Sequence, residues 1–184
     1  MILLISDGSL RALAVTAFTL SLLVATPCAM GAGGFSSDDD NPTCPKGKVY
    51  DTRTKQCVEE RSGVLPDGVL TDYAFALARA ERYDEAIDAL NLLRNPNTAK
   101  ALNYRGYATR KLGRTDEGVG YYLKSVALDP NYTQVREYLG EAYVVQGKFD
   151  LAKEQLDTIA KLCGSTECSE YTVLSKAITK AQTP

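Results

Sequence analysis

Three copies of one segment recur along this chain at nearly equal intervals. The copies read RAERYDEAIDAL, RKLGRTDEGVGYY and VQGKFDLAKEQL. Tyr83, Thr115 and Phe149 occupy the same position in them, with spacings of 32 and then 34 residues. A fixed period in this range indicates stacked pairs of helices, each packed against its neighbours. Such arrays present extended surfaces that bind other chains, so the repeat points to recognition rather than catalysis.

The residues within each copy follow a helical period. Leu70, Ala74 and Leu77 recur at the spacing of one helix face, and equivalent apolar rows occur in the later copies. Gly113 and Gly147 stand where a left-handed residue would end one helix and begin the turn to the next. Because each predicted helix has only about 12–14 residues, it would be marginal alone in water, and stacking must supply most of its stability.

The copies also share small, aromatic and proline residues at matching positions. The second copy has them at Gly106, Ala108, Gly113, Gly118, Tyr122, Ser125 and Pro130. The third copy has Leu139, Gly140, Ala142, Tyr143, Gly147, Phe149, Ala152 and Leu156, and the more divergent first copy has Ala74, Leu77, Tyr83, Ala86, Leu90 and Pro96. This pattern resembles the tetratricopeptide repeat over roughly residues 67–163. The resemblance implies an all-α fold, a short right-handed solenoid of three antiparallel helix pairs.

The segment after the third copy predicts a capping helix. One of its faces is apolar, and its members are Cys168, Tyr171, Leu174, Ile178 and Ala181. An open end of a repeat array needs a cover that is apolar inward and polar outward, which this helix would provide. The alternative is a free amphipathic helix that binds a membrane or a partner.

The first 31 residues predict a secretory signal peptide. Arg11 precedes an apolar run of about fifteen residues, too short for a comfortable membrane span of ~20 residues, and the small residues Ala29 and Gly31 offer a cleavage site. The protein is therefore expected to be exported, periplasmic or secreted, without membrane insertion after cleavage. The alternatives are an uncleaved anchor and a lipoprotein tethered through Cys28. Residues 32–43 are polar and rich in Gly, Ser and Asp, which predicts a flexible linker.

The other four cysteines form two local pairs in the sequence. Export favours disulfides, and proximity favours Cys44 with Cys57 and Cys163 with Cys168. The first bridge would close a small hairpin over residues 44–65, and loop closure would contribute roughly 3 kcal/mol. The repeat domain with its cap would then span 66–184. A zinc site is the competing interpretation, but the chain has no histidine and neither pair has the CxxC spacing.

Composition gives no sign of an enzyme. The chain has no histidine, which is the commonest general base, and its paired cysteines would offer no thiolate. No glycine-rich phosphate loop is present, so we expect no catalytic residues, no cofactor and no metal. The net charge of −2 carries no basic excess that would indicate nucleic acid.

The resemblance implies which residues bind a partner, since the first helices of such repeats line the concave face. By this analogy the candidates are Phe75, Arg79, Lys100, Asn103, Tyr107, Arg110, Lys111, Glu137, Glu141 and Val144. Charged residues such as Arg110 would steer the encounter with the partner, and Tyr107 would supply contact area.

The sequence departs from the family pattern at three informative positions. Chaperone-binding members clamp a terminal carboxylate with Lys and Asn on the first repeat, where this chain has Thr71 and Phe75, so that specificity is not expected. Arg105 stands where the family has an apolar residue. Either its stem packs while its charged end reaches solvent, or the helix is tilted.

The hypothesis is a non-catalytic scaffold of the cell envelope that binds a peptide or protein through its concave face. The alternative is a cell-wall or carbohydrate-binding protein that works through the Cys44–Cys57 hairpin, with the repeats as spacer. In that case Tyr50, the single aromatic residue between the two cysteines, would contact the sugar. The partner and the oligomeric state are not specified by the sequence.

Overall fold

The computed structural model describes residues 42–61 and 65–183. The predicted signal peptide and almost all of the predicted linker lie outside these residues. A hairpin comes first, formed by β1 (Lys48–Asp51) and β2 (Gln56–Glu59). The helices that follow are α1 (Asp67–Arg79), α2 (Tyr83–Asn91), α3 (Ala99–Lys111), α4 (Thr115–Leu128), α5 (Thr133–Val145), α6 (Phe149–Cys163) and α7 (Ser169–Gln182). None of the described helices is both long and apolar enough to cross a membrane.

The helices stack as three consecutive pairs, which confirms the predicted all-α array. Helix α1 packs on α2, α3 on α4 and α5 on α6, while α2 contacts α3 and α4 contacts α5. The first helices also touch one another, α1 with α3 and α3 with α5. The first-helix surfaces of successive repeats therefore lie side by side.

The same turn joins the two helices of every pair. Gly113 and Gly147 have left-handed φ values of +84° and +71°, and Glu81 has φ +61° at the equivalent position of the first pair. After each of them the next backbone N–H donates to a carbonyl five residues back, for example from Arg114 to Thr109 (3.2 Å). This is the Schellman arrangement, and a residue with a side chain is strained at its left-handed position.

The buried side chains form two clusters along the array. One contains the hairpin and the first pair and continues into α3, and the other runs from α4 to α7. Tyr107 packs against both clusters. The two buried clusters therefore meet at Tyr107 on α3.

The hairpin is integrated into this core. Val49 and Cys44 are buried in the first cluster, and the Cys44–Cys57 disulfide joins the hairpin's two sides. The Tyr73 hydroxyl on α1 accepts a hydrogen bond from the Cys44 N–H and donates one to the Lys48 carbonyl, both at 2.9 Å. The hairpin therefore covers the start of the array.

Helix α7 covers the other end, as the sequence predicted. It packs on α5 and α6, and Leu174 and Ile178 are buried. Ala181 is exposed, because it lies in the last turn of α7. The Cys163–Cys168 disulfide links the end of α6 to the residue that precedes α7.

Arg105 adopts the first of the two arrangements considered for it. Its guanidinium donates to Asn91 Oδ1 (2.9 Å) and lies 5.9 Å from the Tyr121 ring centroid. The residue is partly exposed, so the stem packs between helices while the charge remains at the surface.

Candidate functional site

The candidate site is the row of side chains on the adjacent first helices α1, α3 and α5, which we name the first-helix face. It contains the residues predicted to bind a partner: Phe75, Arg79, Lys100, Asn103, Tyr107, Arg110, Lys111, Glu137, Glu141 and Val144. Stacking of the repeats places these helices in contact. The structure differs from the sequence prediction in which of these side chains are exposed: Asn103 and Arg110 are largely buried.

Aromatic rings pair across successive repeats on this face. Phe75 stacks on Tyr104 with centroids 4.3 Å apart and planes within 12°. One repeat later, Tyr107 lies 5.0 Å from Tyr138 at 40°. Phe75 and Tyr107 are partly exposed, so each pair joins two repeats and still presents ring surface. Tyr83 on α2 meets the edge of Tyr107 at 6.4 Å.

Arg110 was predicted to offer its charge to a partner, but in the structure this charge is bonded within the array. Its side chain is 8% exposed, and its guanidinium donates to Glu141 Oε2 (2.7 Å) and to the Tyr122 hydroxyl (3.3 Å). Arg110 thus connects α3 with α4 and α5. Removal of either Arg110 or Glu141 would leave the other charge buried without its partner, which is destabilising. The exposed cation here is Lys111, 5.4 Å from the Tyr107 centroid.

Asn103 also departs from its predicted place on the surface. It is fully buried, and its amide nitrogen donates to the Tyr132 hydroxyl (3.0 Å) and to Gln134 Oε1 (3.2 Å). Its Oδ1 atom is buried without a hydrogen-bond partner among the described residues. Asn103 therefore lies beneath the first-helix face, between α3 and the start of α5.

The remaining basic candidates lie at the surface. Lys100 forms a 2.6 Å salt bridge with Asp72, and both side chains are about half exposed. Arg79 is exposed in the last turn of α1. Burial raises the pKa of the nearby Tyr107 phenol, and the charge of Arg79 acts in the other direction. Lys100 and Arg79 thus lie at the α1–α3 end of the face, with the Lys100 charge paired to Asp72.

The opposite end of the face is acidic. Partial burial, together with the nearby charges of Glu141 and Glu170, raises the pKa of the Glu137 carboxyl to about 8, while the charge of Arg110 acts in the other direction. Glu170 lies in the first turn of α7 and accepts hydrogen bonds from Ser169 and Thr133. Among the described residues, Glu141 and Glu170 accept side-chain hydrogen bonds, and no such bond to Glu137 is present.

Sequence reasoning missed several residues on or beside this face, namely Tyr104 and Tyr138 on it, and Tyr132 and Glu170 next to it. Tyr104 and Tyr138 are one repeat apart, and that spacing was a usable signal for a second aromatic row. Glu170 gave no such signal, because it belongs to the capping helix outside the repeats.

The two local cysteine pairs are both bonded in the structure. Cys163, Cys168 and Glu170 place ligand-type atoms within 4.8 Å of one another. Since the two sulfurs are joined, this group offers no thiolate to a metal ion.

Comparison with known proteins identifies the fold. No protein-family model matches the chain, and no curated protein matches it. Among solved structures, the first TPR domain of the human RPAP3 protein is similar, with a TM-score of 0.53 and 22% identity over 63% of this chain and 94% of that one. The Yersinia enterocolitica type III secretion translocator chaperone SycD is also similar, with a TM-score of 0.53 and 16% identity over 62% of this chain and 87% of that one. The array therefore has a tetratricopeptide-like fold.

Proposed function

We propose that this protein is a non-catalytic scaffold that binds a peptide or protein segment through its first-helix face, and that it acts in the cell envelope after export. The fold supports a role in protein interaction, since both similar structures are proteins of this helical-repeat type. The identity of the face and the place of action are the parts of the proposal that need testing.

The observation that carries the proposal is the pair of aromatic contacts on the first helices. Phe75 and Tyr107 are each held by a ring of the next repeat and each keep ring surface exposed. Aromatic side chains that are fixed before binding provide large contact area at small entropic cost, which is why they dominate the energetics of many interfaces. Lys111 beside Tyr107 adds an exposed charge to the same surface.

The chemistry of the side chains favours binding over catalysis. Histidine is absent from the sequence, and the four cysteines of the described residues are bonded in pairs. Neither a histidine general base nor a cysteine thiolate nucleophile is therefore present among the described residues.

The hairpin is less suited to be a binding module of its own. Its Val49 is fully buried in the core, and the Tyr73 hydroxyl is hydrogen-bonded to the backbone of Cys44 and Lys48, so the hairpin is fixed to α1. Tyr50 is the single aromatic residue between its two cysteines, whereas the first-helix face carries several rings, which favours a structural role for the hairpin.

Peptide selection against the protein tests the proposal. Peptides obtained by display should bind Tyr107→Ala more weakly by about 1–3 kcal/mol. Tyr121→Ala is the matched control, because Tyr121 is a partly exposed tyrosine on the second helix α4. Equal losses in both variants, or binding abolished by Tyr50→Ala while Tyr107→Ala is silent, would contradict the proposal.

Export is tested separately by mass spectrometry of the native N-terminus. The protein recovered from the cell envelope should begin near Ala32. A full-length product in the cytoplasm would contradict the envelope role and would also remove the oxidising environment on which the disulfides depend.

A further inference from the structure

We infer that the segment bound by the first-helix face is rich in proline and binds in the extended, left-handed polyproline II conformation. The inference rests on the proposed function, because it names the class of segment that this face binds. It is carried by a row of four rings on the first helices, which we name the aromatic strip: Phe75, Tyr104, Tyr107 and Tyr138.

The aromatic strip is continuous across three repeats. Phe75 stacks on Tyr104 of the next first helix at 4.3 Å, and Tyr107 contacts Tyr138 of the following one at 5.0 Å. Tyr104 and Tyr107 are three residues apart on α3, so their side chains are neighbours on the helix surface. Tyr104 is buried, whereas the other three rings are partly exposed. The strip therefore offers ring surface on each of α1, α3 and α5.

The spacing of the exposed rings matches the repeat of a polyproline II chain. Phe75 and Tyr107 are 32 residues apart and hold the same position in successive repeats. Helices α1 and α3 contact each other, as do α3 and α5, and the axes of packed helices lie about 8–10 Å apart. A polyproline II chain has three residues per turn and rises about 3.1 Å per residue, so the same side returns about every 9 Å. Every third proline can therefore lie against a ring of the strip.

The polar groups on the strip supply hydrogen-bond donors, which is a second and independent observation. Neither the Tyr107 hydroxyl nor the Tyr138 hydroxyl has a hydrogen-bond partner among the described residues, and neither belongs to the buried atoms without one, so both reach solvent. Lys111 is exposed, with its ammonium 5.4 Å from the Tyr107 ring centroid. A polyproline II chain has no internal hydrogen bonds, so its carbonyls are free acceptors, and its prolines have no N–H that needs a partner. The strip and such a chain are therefore complementary in charge.

An amphipathic helix fits the strip less well. The carbonyls of a helix are already bonded within it, so its apolar face would cover the Tyr107 and Tyr138 hydroxyls without giving them an acceptor. A buried hydroxyl without a partner is costly. A proline-rich chain also loses little conformational freedom on binding, because its backbone is extended beforehand. The same groups thus favour the polyproline chain over the helix.

Two blocked peptides of nine residues test the inference, one of L-proline and one of D-proline. They have the same composition and the same apolar surface, but their helices have opposite handedness. The reversed handedness moves the carbonyls away from the two hydroxyls when the prolines lie on the rings, so the L-peptide should bind at least about tenfold more tightly. The chain has no tryptophan and these peptides have no aromatic residue, so the protein's tyrosine fluorescence reports binding.

Peptide length tests the match with the repeat. A blocked peptide of three L-prolines rises about 9 Å and reaches the exposed rings of one repeat only, so it should bind at least about tenfold more weakly than the nine-residue peptide. Equal affinities of the two lengths would contradict the proposed spacing.

Tyr107→Phe and Tyr138→Phe provide a readout that a purely structural role would not change. Each variant keeps the ring and removes the hydroxyl, so the thermal unfolding temperature should stay the same. Each should bind the L-proline peptide about three- to tenfold more weakly, because one hydrogen bond is lost. Tyr121→Phe is the matched control, since Tyr121 is a partly exposed tyrosine of α4, outside the strip, and its replacement should leave the affinity unchanged.

The outcomes separate this inference from the proposed function. Equal binding of the L- and D-peptides, no binding of either, or unchanged affinity in both Tyr107→Phe and Tyr138→Phe would overturn the polyproline inference. The binding face stands in those cases if peptides selected by display still lose affinity in Tyr107→Ala. Selected peptides that bind as helices through Tyr107 would likewise overturn the inference alone. If the selected peptides are insensitive to Tyr107→Ala, the face itself is wrong, and the inference fails with it.

Discussion

Leu174 of the capping helix occupies the space that a side chain at Gly140 would need. A Cβ atom built on Gly140 would lie 2.5 Å from Leu174 Cδ2 and 2.7 Å from Cδ1. Both residues are buried. Leu174 therefore packs directly against the backbone at Gly140, and α7 can approach α5 closely because Gly140 has no side chain.

Gly140→Ala should destabilise the protein by about 1–3 kcal/mol, because the added methyl group overpacks the contact with a buried leucine. Urea unfolding would measure the change. Adding Leu174→Ala to this variant should cost less than Leu174→Ala costs in the parent protein, since the new methyl group fills part of the vacated space.

Gly120→Ala is the control for this prediction. Gly120 lies in α4, and apart from its own turn of helix no atom of the described residues lies within 4 Å of a Cβ added there. Its replacement should be neutral or stabilising by up to about 1 kcal/mol, because alanine is the better helix former. Equal destabilisation by Gly140→Ala and Gly120→Ala would show that the close contact between Gly140 and Leu174 is not the cause.

Glu81→Gly should stabilise the protein by about 0.5–1 kcal/mol. Glu81 holds the left-handed position that glycine holds in the next two turns, and glycine removes the steric cost of that backbone while adding some entropy to the unfolded chain.

The reverse substitution in the second turn is the control. Gly113 has φ +84° and no atom within 4 Å of an added Cβ, so Gly113→Ala should destabilise by about 1 kcal/mol through conformation alone. In chemical unfolding, the free energy of unfolding should rise in Glu81→Gly and fall in Gly113→Ala. A loss of stability in Glu81→Gly would mean that its side chain contributes more than its backbone costs.

Tyr73→Phe should loosen the hairpin. The change leaves the Cys44 N–H without its acceptor and the Lys48 carbonyl without its donor, which should cost about 1–3 kcal/mol. The Cys44–Cys57 disulfide should also be reduced faster by a thiol. Tyr50→Phe makes the same chemical change in the hairpin, where no hydrogen bond of the Tyr50 hydroxyl exists within the described residues, and it should have little effect on either measurement.

Glu137→Gln should stabilise the protein in a way that depends on pH. The pKa of Glu137 is raised to about 8 in the folded protein, against about 4.3 when unfolded. Between these values the folded state keeps a proton that the unfolded state releases, so this group's contribution to stability is lost as pH rises. The variant's gain should grow from pH 5 to pH 8 and then level off.

The size of that gain should be on the order of 1 kcal/mol, because solvent screens a partly exposed carboxyl. Thermal unfolding at several pH values would measure it, with Glu154→Gln as the control that should show no such trend. A gain that is constant from pH 5 to pH 9 would indicate a packing effect rather than the titration of Glu137.

The helix pairs, their turns and the capping helix were predictable because their signals are local or periodic. Gly113 and Gly147 mark two turns directly, and the apolar spacing around Leu174 and Ile178 marks the buried face of α7. The turn of the first pair had no such signal, since Glu81 is not a glycine and still adopts the left-handed conformation.

The roles of individual side chains on the face were harder to predict because they depend on contacts between repeats. Asn103 and Arg110 occupy positions that we predicted to face a partner, yet both form hydrogen bonds with residues 31 positions later, Gln134 and Glu141. The hydrogen bond between Cys44 and the Tyr73 hydroxyl also joins residues far apart in the sequence. Contacts of this kind cannot be predicted from a local sequence pattern.

The two covers of the array have a consequence for assembly. A helical-repeat stack with a bare end can accept another copy on that end, and the same contact repeated would give a filament of undefined length. Here the hairpin packs against α1 at one end, and α7 fills the next helix position at the other. In the described part of the chain, a second copy could therefore not stack on either end through the contact that joins successive repeats unless it displaced the hairpin or α7.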